Sequence, residues 1–318
     1  MASFERKTPA ATRSQFMLEV ASELVSPRGY PYQQAMVQLR KQGPGPWAYT
    51  LFGSDTPEAI RQVARGEADI AAVNPSSPLT LAYRGTGPFK EPLPVRIITV
   101  IPSLDWLGFA VKQSTGITSV ADIKAKRYPL KVSMRAQADH SVHMYVDEVL
   151  KAHGFSLADI VSWGGSVSND EGMPFGDRRI GKVKDGEIDA VFDEALTNYI
   201  GPAIDLGMRF LPIDDSVLKD LAAMGFRTSI LPKSKFPTLP ADLPTLDFSG
   251  WPIFTRADVD DGFIYDYCRA LDARKGTIEW QEPGPLPLDR MCKDQPDGPL
   301  DVPLHPGAAR YWREAGYL

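Results

Sequence analysis

The sequence predicts an α/β protein built from two similar domains. Helix and strand signals alternate along the chain, which is the pattern of mixed α/β layers. The length, 318 residues, fits about two domains of roughly 150 residues each. One helix-to-strand step also recurs: Val63-Ala64-Arg65-Gly66-Glu67-Ala68-Asp69 before Ile70 to Val73 is echoed by Val183-Lys184-Asp185-Gly186-Glu187-Ile188-Asp189 before Ala190 and Val191. Both copies read as a helix end, a Gly-Glu stop, an Asp and a buried strand. Their separation is too long for a solenoid repeat and fits one equivalent step in each domain.

The elements follow in order. The first apolar stretch, residues 16–25, is interrupted by Glu19 and Glu23. Thr56-Pro57-Glu58 has the cap, first-turn proline and acid of a helix start, and Gly66 is its stop. Residues 69–73, 94–101, 107–111 and 130–134 read as strands, each a short apolar run. Ser119 caps a short helix, and Ser141 to His153 carries apolar residues at helical spacing up to Gly154. A helix over Ala257 to Lys275 follows the Pro-rich connections after Leu211. Residues 281–306 read as an extended wrap, with a last helix over Gly307 to Ala315.

Composition excludes several classes. The 35 Lys+Arg against 40 Asp+Glu give a net charge of −5, without basic blocks, which argues against a nucleic-acid or anionic-membrane partner. With 43% hydrophobic and 24% charged residues the chain is ordinary for a globular protein. Cys268 and Cys292 form no disulfide framework and lack metal-site spacing. The 28 prolines are nearly twice the usual share of about 5%, which implies many stiff turns. No uncharged run approaches the roughly 20 residues of a membrane span. Residues 1–25 lack the basic start and apolar run of a secretion signal. The expected location is cytoplasmic as the sequence stands, and periplasmic if an export signal has been removed. No Gly-x-Gly-x-x-Gly, P-loop, Gly-x-Ser-x-Gly, His-Glu-x-x-His or Cys-x-x-Cys is present, so neither cofactor nor metal is expected.

Four stretches resemble the TAXI family, the solute receptors of TRAP transporters. They are Gly66 to Val73 with its polar turn, Gly116-Ile117-Thr118-Ser119-Val120-Ala121-Asp122-Ile123-Lys124 to Arg127, Gly186 to Phe192, and Pro303-Leu304-His305-Pro306-Gly307 to Gly316. The resemblance implies the two-lobed type II periplasmic-binding-protein fold, with two crossover strands and a ligand closed between the lobes by hinge motion. Lobe I would comprise residues 1–112 plus 208–318, and lobe II residues 113–207. Two turns depart from the family pattern. The turn after the family's first strand reads Ser26 to Tyr32 here, and the strand ending near Met134 leads into Arg135-Ala136-Gln137-Ala138-Asp139-His140-Ser141. The family's ligand preference therefore does not carry over.

Ligands of open α/β sheets sit outside the carboxyl ends of strands. Four turns qualify: 26–32, 74–77, 135–143 and 193–198. Asn74, Ser76 and Ser77 offer short donors and acceptors suited to a carboxylate or hydroxyl, or equally to a plain helix cap. Arg135 can hold a carboxylate in its planar fork, or make an ordinary ion pair. Asp139, His140, Ser141 and His143 concentrate two of the four histidines at one strand-to-helix turn. The pair can act as general acid and base with Asp139, touch ligand, bind a metal together with a carboxylate, or simply cap and pack, the metal role being the least favoured. Asp193, Glu194 and Asn198 can accept from ligand hydroxyl or amino groups, pair with Arg135 across the cleft, or start a helix. Tyr30, Tyr32, Trp106 and Trp163 can present ring faces to a planar ligand, or belong to the core.

The favoured reading is a solute-binding protein that captures a small organic carboxylate, aromatic ones included, and presents it to membrane transporter subunits. The alternative is a cytoplasmic decarboxylase or lyase on the same fold, acting on an aromatic or cyclic carboxylic acid with His140 and His143 as acid and base.

Overall fold

The computed structural model describes residues 9–25, 35–40, 48–53 and 57–318, and the Gly-Glu echo folds identically in both halves. Gly66 and Gly186 take left-handed φ values of 77° and 74°, a conformation that costs glycine nothing. Glu67 N–H then bonds back to the Gln62 carbonyl at 2.9 Å, and Glu187 N–H to that of Lys182 at 3.0 Å. The Asp amides complete the step: Asp69 N–H donates to Thr50 and Asp189 N–H to Lys131, each at 2.8 Å, docking the chain beside an existing strand.

In chain order the first elements are α1 (Pro9–Val25), β1 (Ala35–Arg40), β2 (Ala48–Gly53), α2 (Glu58–Arg65), β3 (Ile70–Ala72), α3 (Ser77–Arg84), β4 (Val95–Ile101) and β5 (Gly108–Lys112). Next come α4 (Val120–Ala125), β6 (Lys131–Arg135), α5 (Ser141–Ala152), α6 (Leu157–Ser162), β7 (Ser166–Asp170), α7 (Asp177–Lys184), β8 (Ala190–Asp193), α8 (Leu196–Asp205) and β9 (Met208–Phe210). The last part holds α9 (Asp215–Met224), β10 (Thr228–Leu231), β11 (Leu243–Leu246), β12 (Trp251–Arg256), α10 (Asp261–Arg274), α11 (Leu288–Met291) and α12 (Pro306–Glu314).

Among the described residues two five-stranded mixed sheets form, ordered β1-β2-β3-β12-β4 and β7-β6-β8-β5-β9, with β10 and β11 as a separate antiparallel pair. In each large sheet the strand that arrives from the other lobe, β12 or β5, inserts antiparallel between its neighbours. The fold is thus the two-lobed α/β architecture expected. The second sheet takes in β5 and β9, so it draws on residues on both sides of the expected 113–207 segment. The two crossovers lie antiparallel: Leu107 N–H bonds to Leu246 at 3.1 Å, Phe248 N–H to Asp105 at 2.9 Å and Gly250 N–H to Ser103 at 2.8 Å.

Some local expectations change. Residues 16–25, the first apolar stretch, are the C-terminal part of α1. A Gln15-to-Glu19 side-chain bond of 2.7 Å spans one turn there, and Phe16, Met17, Leu18 and Val20 are exposed. The helix expected from Ala257 starts at Asp261, because the Asp260 carboxylate caps it by accepting from Phe263 N–H at 2.8 Å. The 281–306 wrap contains one helical turn, α11, before it docks on β4 through His305 N–H to the Ile97 carbonyl at 2.8 Å. The Thr56 cap lies outside the described residues. Ser119 caps α4 as expected, its hydroxyl accepting from Asp122 N–H at 3.1 Å.

Candidate functional site

β3, β6 and β8 end in the Asn74, Arg135 and Asp193 turns. Because β6 and β8 pair directly, with Val132 opposite Ala190 and Ser133 opposite Val191, Arg135 and Asp193 emerge side by side. Arg135 Nη2 donates to Asp193 Oδ1 at 2.8 Å and also pairs with Glu194. This pairing joins neighbouring strands of one sheet; it does not span the cleft, as one reading of the sequence had it. Arg179, from α7, closes the cluster from below: it pairs with Asp193, and its Nε donates to the Ser133 hydroxyl at 3.1 Å.

Burial makes the charge balance of this cluster decisive, since an uncompensated buried ion costs several kcal/mol. Burial pushes the Asp193 carboxyl up, but the Arg135 and Arg179 guanidiniums outweigh it and hold Asp193 below the usual carboxylate range. Burial lifts Glu194 well above that range; Arg135 opposes the rise, while Asp105 and Asp193 add to it. Asp105 is also raised by burial, against hydrogen bonds from Glu194 and from the backbone amides of Trp106, Ala195 and Leu196. We therefore place the proton on Glu194, which donates to Asp105. Arg135 and Arg179 then balance Asp193 and Asp105.

Asp105 is a site residue that the sequence reading missed. It sits in the first crossover, and its carboxylate accepts from Ala195 N–H at 2.7 Å and Leu196 N–H at 3.0 Å. It thereby caps α8, whose own N-cap residue, Ala195, has a left-handed φ of 66° and no capping side chain. The crossover is thus tied to the Asp193–Glu194 turn. An Asp between two strand signals carries no pattern that marks it in sequence. Arg179 was missed for the same reason.

The histidines are held locally. His140 Nδ1 accepts from Val142 N–H at 3.2 Å and so caps α5, with its ring parallel to Phe248 at 6.3 Å. His143 Nε2 lies 2.9 Å from the Arg135 carbonyl and 3.0 Å from that of Gln137, which makes it the donor that clasps the β6–α5 turn. Asp139 is exposed. Among the described residues no group of His, Cys, Asp or Glu is arranged to hold a metal.

The lobes meet at this turn. The Ser141 hydroxyl, on α5, donates to the Asn74 carbonyl that follows β3. Asn74 Oδ1 is buried without a hydrogen-bond partner among the described residues. The Ser76 hydroxyl donates to the Gly250 carbonyl at 3.3 Å, and the Ser77 hydroxyl accepts from Arg227 N–H at 3.3 Å. Tyr145 of α5 packs on Phe226 and Phe248 at 4.9 and 4.8 Å, extending the closure into an aromatic cluster.

The remaining candidates lie elsewhere. Trp106 faces away from Asp105: its indole N–H donates to the Ser229 hydroxyl at 2.9 Å, and it lines a cavity of about 500 Å³ with Arg227, Lys235 and Asp247. Trp163 packs on Phe155 at 5.9 Å. Asn198 is exposed on α8. Tyr30 and Tyr32 lie outside the described residues.

The model of the NMT1-like family matches residues 52–316. Among solved structures, the chain is similar to the alkanesulfonate-binding protein SsuA from Xanthomonas axonopodis pv. citri bound to MOPS, at 14% identity and TM-score 0.35, over 71% of this chain and 61% of that one. It is similar to the periplasmic aliphatic sulphonate binding protein SsuA from Escherichia coli, at 15% identity and TM-score 0.35, over 67% of this chain and 54% of that one. A third is the glycine/betaine/L-proline-binding protein ProX from Borrelia burgdorferi, at 13% identity and TM-score 0.38, over 67% and 66%. The match thus spans little more than half of the Escherichia coli chain.

Proposed function

The chain belongs to the NMT1-like family, and from that premise we propose that it is a solute-binding protein that closes its two lobes around a small organic carboxylate. The observation that carries the reading is the Arg135–Glu194 pair at the ends of β6 and β8, beside the Ser141–Asn74 contact between lobes. A neutral Glu194 occupies on Arg135 the place that a ligand carboxylate takes. Exchanging one for the other gives Arg135 a stronger, charge-assisted partner. The unpartnered Asn74 Oδ1 is then an acceptor for a ligand hydroxyl or amine. The paired crossovers at 103–107 and 246–250 serve as the hinge. The four motif stretches support the finer assignment, a TAXI-like receptor that hands its ligand to membrane transporter subunits. Binding without turnover fits the local hydrogen bonds of His140 and His143, which occupy both rings in holding the turn.

The test is calorimetric titration with succinate, benzoate and phthalate, with native mass spectrometry of the purified protein to reveal a retained ligand. At least one carboxylate binds and is recovered intact, Arg135→Gln weakens it by about 100-fold, and Ser141→Ala weakens it less, by about tenfold or under. A retained ligand without an acid group, bound equally by Arg135→Gln, would falsify the carboxylate reading. Turnover abolished by His143→Ala would replace it with the lyase alternative.

A further inference from the structure

Among the described residues β9 is the outer strand of the second sheet and pairs with β5 alone. Against its open edge lies a cavity of about 530 Å³, within the range of small-molecule pockets. Its walls are apolar, with Met208, Phe210, Leu239 and Leu243 prominent, and Arg209 and Asp242 contribute charge. The two charges differ in state. Asp242 is already engaged, its carboxylate accepting from Lys233 N–H at 2.8 Å. The Arg209 Nε is buried without a hydrogen-bond partner, and Arg209 makes no ion pair among the described residues.

A buried N–H without an acceptor is costly, so the Nε of the half-buried Arg209 marks a position where an anion gains a hydrogen bond and a charge partner. We propose that this cavity is a second binding site, which takes an amphiphilic monoanion. A carboxylate pairs with Arg209, and an aliphatic body lies against Met208, Phe210, Leu239 and Leu243. The guanidinium fork supplies charge and direction, and the apolar walls supply area. The site is formed by β9 and the 238–243 segment, away from the Arg135–Asn74 turns. It is independent of the function proposed for the interlobe turns, which is tested on Arg135, and each reading can fail without the other.

The probe is octanoate, with 1-octanol as its uncharged counterpart, titrated into the full chain by calorimetry. Wild type binds octanoate saturably and with one-to-one stoichiometry, and binds 1-octanol at least about tenfold more weakly. Arg209→Gln reduces octanoate affinity by at least about tenfold, as expected for loss of a charge-assisted pair. Ala241→Trp, at the exposed rim, blocks entry and produces a similar loss with an unchanged unfolding transition; it decides the matter should Arg209→Gln not fold. Absence of saturable octanoate binding overturns the proposal. So does binding that Ala241→Trp and a folded Arg209→Gln leave intact, or equal affinity for the alcohol.

Discussion

Arg179 and Asp193 form an ion pair in which both side chains are shut off from solvent, at 1% and 0% exposure. The guanidinium also donates to the Ser133 hydroxyl, so one helix residue anchors the ends of two strands. Arg179→Leu leaves Asp193 with Arg135 as its remaining cation. The expected loss is about 3 kcal/mol, the lower end for a broken buried pair. Urea unfolding measures it, and adding Asp193→Leu in the same chain should recover part of the loss, because the uncompensated charge goes too.

Glu194 makes stability fall as pH rises. Its folded-state pKa lies well above the ordinary 4.5, chiefly through burial, so the folded chain retains a proton that the unfolded chain releases above that pH. Glu194→Gln keeps an acceptor for Arg135 and a donor for Asp105 without this liability. The variant should match wild type at pH 4 and exceed it increasingly from pH 5 to 8. Unfolding free energies that run parallel over that range would remove the proton from Glu194.

Asp247 shows the same sign in a narrower window. Burial pushes its carboxyl up to about 6 from an ordinary 3.8, against a hydrogen bond from Ser249 N–H at 3.1 Å. Ionisation therefore costs stability that is absent below pH 3.8 and fully felt above about 6. Asp247→Asn should gain on the order of 2 kcal/mol at pH 8 and nothing at pH 4. Chemical denaturation at the two pH values checks it.

Gly307 and Gly181 should respond in opposite directions to alanine. A Cβ on Gly307 would stand 2.2 Å from the Asp261 carbonyl, where α12 abuts α10, whereas one on Gly181 meets nothing within 4 Å. Gly307→Ala should cost about 3 kcal/mol through overpacking against backbone. Gly181→Ala, inside α7, should gain up to about 1 kcal/mol of helix propensity. Thermal melts of the two variants decide both.

Local chemistry made much of the fold legible. Gly66 and Gly186 end helices because each copy places glycine where φ is positive, and Ser119 caps α4 through its own hydroxyl. The run from Ser141 to Leu150 declared its helix by spacing alone, and its apolar residues Val142, Tyr145, Val146, Val149 and Leu150 are all buried. Competition between neighbouring signals was less legible. The Asp260 cap overrode the apolar pattern that began at Ala257, because capping fixes a helix start more locally than periodicity does.

What the sequence determined by itself, then, was a pair of α/β lobes and the turns that end their strands, since caps, stops and apolar periodicity act within a few residues. The tertiary structure decided which charges share a site. Arg135 and Asp193 are 58 residues apart and meet because β6 and β8 pair; Asp105 reaches Ala195 across 90 residues because the crossover runs past α8. No spacing rule encodes such meetings. They depend on strand order, and once burial removes water, that order sets which groups must be charged and which must keep a proton.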